Sequence, residues 1–153
     1  MYTGKFKKLA GLGALIDWGV AFDSRPSGLK GYFKYSPAAI NKSDEEHKYL
    51  IGKTDTCQVQ ILLTDWNAPF EINTSAGVFV DFDNDPHIIA YGKMETGETV
   101  AEYREISIDL EYRDMTRKPK YIVITICASK YGDYFTGGVG STLLVDEFEL
   151  IYE

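Results

Sequence analysis

Tyr121–Ser141 reads YIVITICASKYGDYFTGGVGS, and its two halves differ sharply in chemistry. From Tyr121 to Ala128 nearly every residue is apolar or β-branched, the composition of a strand covered on both faces, with Pro119-Lys120 marking its start. Ile122, Ile124 and Ile126 recur at alternate positions and belong to one core. Beyond Lys130 the character changes. Tyr131, Tyr134 and Phe135 alternate with Gly132, Asp133, Gly137, Gly138 and Gly140, so large flat side chains sit on a backbone free to bend. A covered strand running into a glycine-rich aromatic loop suits a ligand-facing loop on a β-scaffold.

The flanking sequence supplies more strands. Tyr2–Lys8 reads as a short edge strand, followed by a turn region at Gly11 and Gly13 and then Leu15–Phe22. Arg25-Pro26-Ser27-Gly28 is a turn signal. Leu29–Tyr35 then puts Gly31, Phe33 and Tyr35 on one face and Tyr32 and Lys34 on the other, and Pro37 stops it. Asn41–Lys48 is the most polar segment, a solvated excursion with one helical turn over Ser43–Glu46. Thr56–Trp66 alternates cleanly, with Cys57, Val59, Ile61 and Leu63 inward and Gln58 and Gln60 outward. Asn67–Gly77 reads as a loop, Val78–Phe82 as a strand, Asp83–Pro86 as a turn and Ile88–Met94 as the returning strand. Thr99–Tyr112 is one long amphipathic strand whose wet face carries Tyr103, Glu105, Ser107, Asp109 and Glu111. Leu143–Tyr152 closes the chain. About eight or nine strands without a long helix predict an all-β fold, an antiparallel β-sandwich of jelly-roll type, as a single domain over residues 1–153.

Composition narrows the function. A chain of 153 residues buries roughly two-thirds of its unfolded surface and needs no metal or disulfide to fold. The net charge of −7 and pI near 4.9 argue against a nucleic-acid partner, which requires a basic stripe. The 11 Tyr, 8 Phe and 2 Trp suit both a β-rich core and sugar-stacking surfaces. KFKKLAGLGALI at Lys5–Ile16 is not a secretory signal, because Asp17-Trp18 ends its short apolar run. No stretch is apolar for the length of a membrane span. Cys57 and Cys127 read as buried free thiols rather than a disulfide, and no Cys or His spacing supports zinc.

Several strings together resemble the putative carbohydrate metabolism domain family of bacterial surface and periplasmic proteins. They are Phe22–Pro26 with Leu29–Pro37, Ile88–Gly92, Ser129–Gly138, and the ending Ser141–Tyr152 with its Leu-x-Val-Asp-x-x-x-Leu pattern, spanning about residues 15 to 152. Cys127-Ala128 and Phe33 depart from the family pattern. The resemblance implies a carbohydrate-binding-like sandwich, extracytoplasmic, forming the C-terminal part of a longer precursor. Its partners would be a polysaccharide or oligosaccharide and an upstream domain of that precursor.

The candidate ligand-binding residues are Tyr131 and Tyr134 as stacking platforms, Asp133 as an acceptor of sugar hydroxyls, Trp66 at a sandwich rim, Tyr32, and Arg25, whose expected partner is Asp23. In the contrasting reading the rings pack beneath the loop and the glycines only permit its turn. No cofactor is implied. A structural calcium is the one metal to weigh, at Asp146 by the resemblance, with Asp81, Asp83 and Asp85 as a weaker set of hard oxygen ligands. Three functions follow: a non-catalytic glycan-binding module, a structural or protein-interaction sandwich, and a glycoside hydrolase using Glu105, Asp109 and Glu111. The last lacks an acid at the central position, where Ser107 stands, and a retaining pair needs a separation of about 5 Å.

Overall fold

Alternation along the chain produces eleven strands: β1 (Gly4–Ala10), β2 (Gly13–Trp18), β3 (Val20–Ala21), β4 (Gly28–Ser36), β5 (Cys57–Thr64), β6 (Phe70–Asn73), β7 (Ile88–Thr96), β8 (Val100–Asp109), β9 (Glu111–Tyr112), β10 (Tyr121–Cys127) and β11 (Thr142–Ile151). The computed structural model describes residues 1–153. All pairings are antiparallel, in sheets ordered β3-β10-β5-β7-β9, β11-β4-β8 and β1-β2-β6. The expected all-β antiparallel sandwich is present, with eleven strands rather than eight or nine. The excess comes from β3 and β9, two residues each, while β6 stands in place of the expected strand at Val78–Phe82.

The main core lies between the five-stranded sheet and β11-β4-β8. Leu29, Phe33 and Tyr35 of β4 and Ile106 and Ile108 of β8 meet Val59, Ile61 and Leu63 of β5 and Ile122 and Ile126 of β10. Tyr35 is fully buried and donates its hydroxyl to the Ala128 carbonyl at 2.8 Å, and burial raises its pKa. A second core forms on the opposite face of the five-stranded sheet, where Leu62 and Val123 pack against Trp18 and Ile72 of the β1-β2-β6 sheet. This third layer explains why β10 reads as a strand covered on both faces.

Polarity changes along that outer face. In register across β10, β5 and β7, Val123, Leu62 and Tyr91 form one row and Thr125, Gln60 and Lys93 the next. Cys127, Gln58 and Glu95 form the last. The third layer covers the apolar row and leaves the polar rows to line a recess.

Three local expectations are corrected. Val78–Phe82 is not a strand: Val78 makes only an isolated bridge to Asn73, while Phe70–Asn73, read as loop, pairs with β2. The Asp81 carboxylate accepts the amides of Asp83 and Asn84, a local turn that competes with strand pairing. The helical turn lies at Lys48–Leu50 rather than Ser43–Glu46, with Leu50 buried beneath it. Finally, Thr99–Tyr112 is not one strand. The Leu110 amide donates to the Ser27 carbonyl at 2.8 Å, and the chain changes sheet there, β8 pairing with β4 and β9 with β7.

Candidate functional site

The aromatic loop is held from below by a residue that sequence reading passed over. Asp55 is 1% exposed. Its Oδ2 accepts from Ser129 Oγ at 2.6 Å, the Gly138 amide at 2.7 Å and Ser141 Oγ at 2.8 Å, and its Oδ1 from the Thr56 amide at 2.8 Å. One buried carboxylate therefore ties both ends of the loop to the start of β5. The close approach also fixes two glycines. A Cβ at Gly138 would lie 2.9 Å from the carbonyls of Ala38 and Ala39, and one at Gly137 would lie 2.7 Å from Ser129 Oγ.

On this base the chain makes a short helical turn, Gly132–Tyr134, that presents the rings. Tyr134 stacks on His47 at 4.7 Å between centroids and tilts against Phe79 at 5.6 Å, while Tyr131 meets His47 at 5.7 Å and lies 5.0 Å from Lys130 Nζ. His47 is itself placed by a 2.6 Å contact from Nδ1 to Asp44. The ring faces are thus partly occupied by neighbours, and Tyr134, 41% exposed, shows its remaining surface to the recess. The rings pack against their neighbours and also form one wall of the recess.

The recess lies between this wall, the polar rows of the five-stranded sheet and the 78–83 loop. Trp18, Gln58, Gln60, Lys130 and Asp133 are common to its two lobes, with volumes of about 150 and 310 Å³. Its floor is cross-linked. Gln58 Nε2 donates to Glu95 Oε1 at 2.6 Å, Gln60 Nε2 to the Tyr91 hydroxyl at 2.8 Å, and Thr125 Oγ1 to Gln60 Oε1 at 3.1 Å. Lys130 Nζ donates to Glu95 Oε2 at 3.2 Å. Burial acts to raise the Glu95 pKa, but Gln58 and Lys130 outweigh it and hold the carboxyl below its usual range. Asp133 is different. Its carboxylate opens to solvent through the mouth, yet protein surrounds it on the other sides and no donor or cation pairs with it, so desolvation pushes its pKa up.

The other predicted residues do not join this site. Trp66 is buried, 6% exposed, its ring against Phe70 and its indole N–H donating to Asp85 at 2.9 Å; it is core, not rim. Arg25 does not pair with Asp23, which binds Lys118 at 2.9 Å. Its guanidinium instead donates to the carbonyls of Arg117 and Asp114 at 2.7 and 3.0 Å and lies 4.6 Å over the Tyr112 ring. Tyr32 stands on the outer face of β11-β4-β8, in register with Glu105 and Asp146, on the side of the sandwich away from the recess. Glu105 and Asp109 share that face, whereas Glu111 lies in the five-stranded sheet, so the three acids do not form one site. No group of three or more His, Cys, Asp or Glu side chains converges to hold a metal. Asp146 accepts the amide of Glu147, and Asp81 accepts from the Asn84 side chain and the amides of Asp83 and Asn84. Cys57 faces the main core and Cys127 the recess; both are free thiols, pushed up to about 11 by burial.

The model of one protein family, described as the putative carbohydrate metabolism domain, matches residues 1–151. The chain belongs to that family. Two solved structures are similar to this putative carbohydrate metabolism domain, each named a putative glycoside hydrolase. The one from Bacteroides thetaiotaomicron has a TM-score of 0.70 and 23% identity over 90% of this chain. The one from Bacteroides vulgatus has a TM-score of 0.66 and 21% identity, again over 90%. Both likenesses concern the fold. The domain spans 41% and 56% of the lengths of those chains. No curated protein matches it.

Proposed function

We propose that this carbohydrate metabolism domain is a non-catalytic, extracytoplasmic module that binds polysaccharide or oligosaccharide in the recess beneath the aromatic loop, beside an upstream domain of the same precursor. The observation that carries this reading is the pairing of a hydrogen-bonding floor with an aromatic wall. Gln58, Gln60 and Asp133 offer donors and acceptors of the kind sugar hydroxyls need, and Trp18, Phe79 and Tyr134 supply apolar surface for the ring faces. The floor is pre-organised by its own hydrogen bonds, which lowers the ordering cost of binding.

The test is a glycan array followed by calorimetry. Binding of at least one polysaccharide is expected, with Asp133→Ala and Gln58→Ala each weakening it about tenfold. An absence of binding to every glycan at millimolar concentration would leave the structural reading in its place. A hydrolase reading draws support from the two solved structures of similar fold, each named a putative glycoside hydrolase, and would use Asp133, a recess carboxylate without an ion-pair partner. Release of reducing sugar, lost in Asp133→Asn, would select it.

A further inference from the structure

We propose that the recess selects neutral glycan and rejects polysaccharides bearing carboxylate or sulfate groups. The inference rests on the glycan-binding reading above and adds the substrate class. It comes from the pairing of charges in the lobe beneath the aromatic loop. That lobe contains two lysines, Lys93 and Lys130, and both point to the same carboxylate: Glu95 lies 3.5 Å from Lys93 Nζ and 3.2 Å from Lys130 Nζ. Glu95 holds both ammoniums, and with Asp83 and Asp133 the lobe and its edge carry three carboxylates against two lysines, a negative balance.

The remaining two charges in the lobe are Asp83 and Asp133, and neither has an ion-pair partner. They stand on different segments, the 78–83 loop and the aromatic loop, so a sugar lying on the Gln58–Gln60 floor has one at each wall. Bringing another anion into this partly desolvated space adds like-charge repulsion that few water molecules screen. The field of the whole chain, −7, has the same sign. A neutral hydroxyl meets none of this repulsion, and the unpaired Asp133 is free to accept from it.

The experiment uses galactan, mannan and glucan, each before and after oxidation of its C6 hydroxyls to carboxylates, titrated at 20 mM and 500 mM salt. At least one neutral polymer is expected to bind with little salt dependence, and its oxidised form to bind at least tenfold more weakly at low salt, the gap narrowing at high salt as screening shortens. In Asp83→Asn/Asp133→Asn, two exposed positions whose change leaves the core intact, the oxidised form is expected to bind more tightly than it binds the unaltered domain; a gap that closes only through weaker binding of the neutral form would overturn the repulsion. Oxidised polymers binding as well as or better than neutral ones would overturn the selectivity while leaving glycan binding standing. If neither series binds, the glycan reading fails and this inference with it.

Discussion

Asp133 on the aromatic loop and Asp55 beneath it are two carboxylates with opposite circumstances. Asp55 is fully buried and fully partnered; Asp133 is at the surface and partnered by nothing. For Asp133 the consequence is a pH dependence of definite sign. Its folded pKa is raised above the usual 3.8, so between the two values the folded chain holds a proton that the unfolded chain releases. Stability therefore falls as pH rises through this window, and the cost is complete at neutral pH. Asp133→Asn should raise the melting temperature at pH 7, and the difference should vanish on acidification below about 3.8. An unchanged or lower melting temperature at pH 7 would show that Asp133 is not desolvated. Asp55→Ala should act in the other direction, removing an acceptor from three buried or half-buried donors and destabilising by about 3 kcal/mol, measured by denaturant unfolding, with faster proteolysis of the 130–141 loop. Asp133 could be picked out in the sequence as a lone acid among rings and glycines. Asp55 could not, because its partners lie 74, 83 and 86 residues away and nothing local in Lys-Thr-Asp-Thr announces a buried anchor.

The strands themselves were readable wherever alternation ran long. β4, β5, β7 and β10 fall where period-two patterning puts them, and the inward residues of β5 are those expected. Alternation fixes which face is dry but not which sheet a strand joins. The pattern through Thr99–Tyr112 is continuous, yet β8 and β9 belong to different sheets, because the switch depends on the Leu110 amide finding Ser27. Short segments such as Phe70–Asn73 carry too few residues for a pattern to form. The last strand shows a further irregularity. Its register with β4 shifts between Asp146 and Glu149, and Glu147 sits there at φ 50°, the left-handed region that favours glycine. The bulge accommodates Phe148, whose ring lies over Gly31, where any Cβ would collide with it. Glu147→Gly should relieve the backbone strain and stabilise by about 1 kcal/mol in chemical denaturation. A destabilised variant would mean that the Glu147 side chain contributes more than its backbone geometry costs.

The molecule as a whole is a two-sheet sandwich with a third sheet laid over only part of one outer face, and that partial cover creates the recess. Complete cover would bury Gln58 along with Gln60 and Thr125, which are already buried, and leave no room for a ligand; no cover would leave Leu62 and Val123 exposed to water. Apolar and polar rows only one register step apart should therefore answer differently to substitution. Leu62 is fully buried beneath Trp18 and Ile72, so Leu62→Ala opens a cavity between the layers and should cost about 3 kcal/mol. Gln60, in the adjacent row, is 6% exposed and its amide is held by Tyr91 and Thr125. Gln60→Leu keeps most of the volume and extends the apolar row, but leaves the Tyr91 and Thr125 hydroxyls to turn toward the recess. The expected result is a stability change under about 1.5 kcal/mol together with loss of glycan affinity. Denaturant unfolding and calorimetry on the same two variants would separate the roles, Leu62→Ala failing chiefly in stability and Gln60→Leu chiefly in binding. Equal losses of stability in both would mean that the floor is simply more core, and that the third layer stops short for a reason other than a ligand.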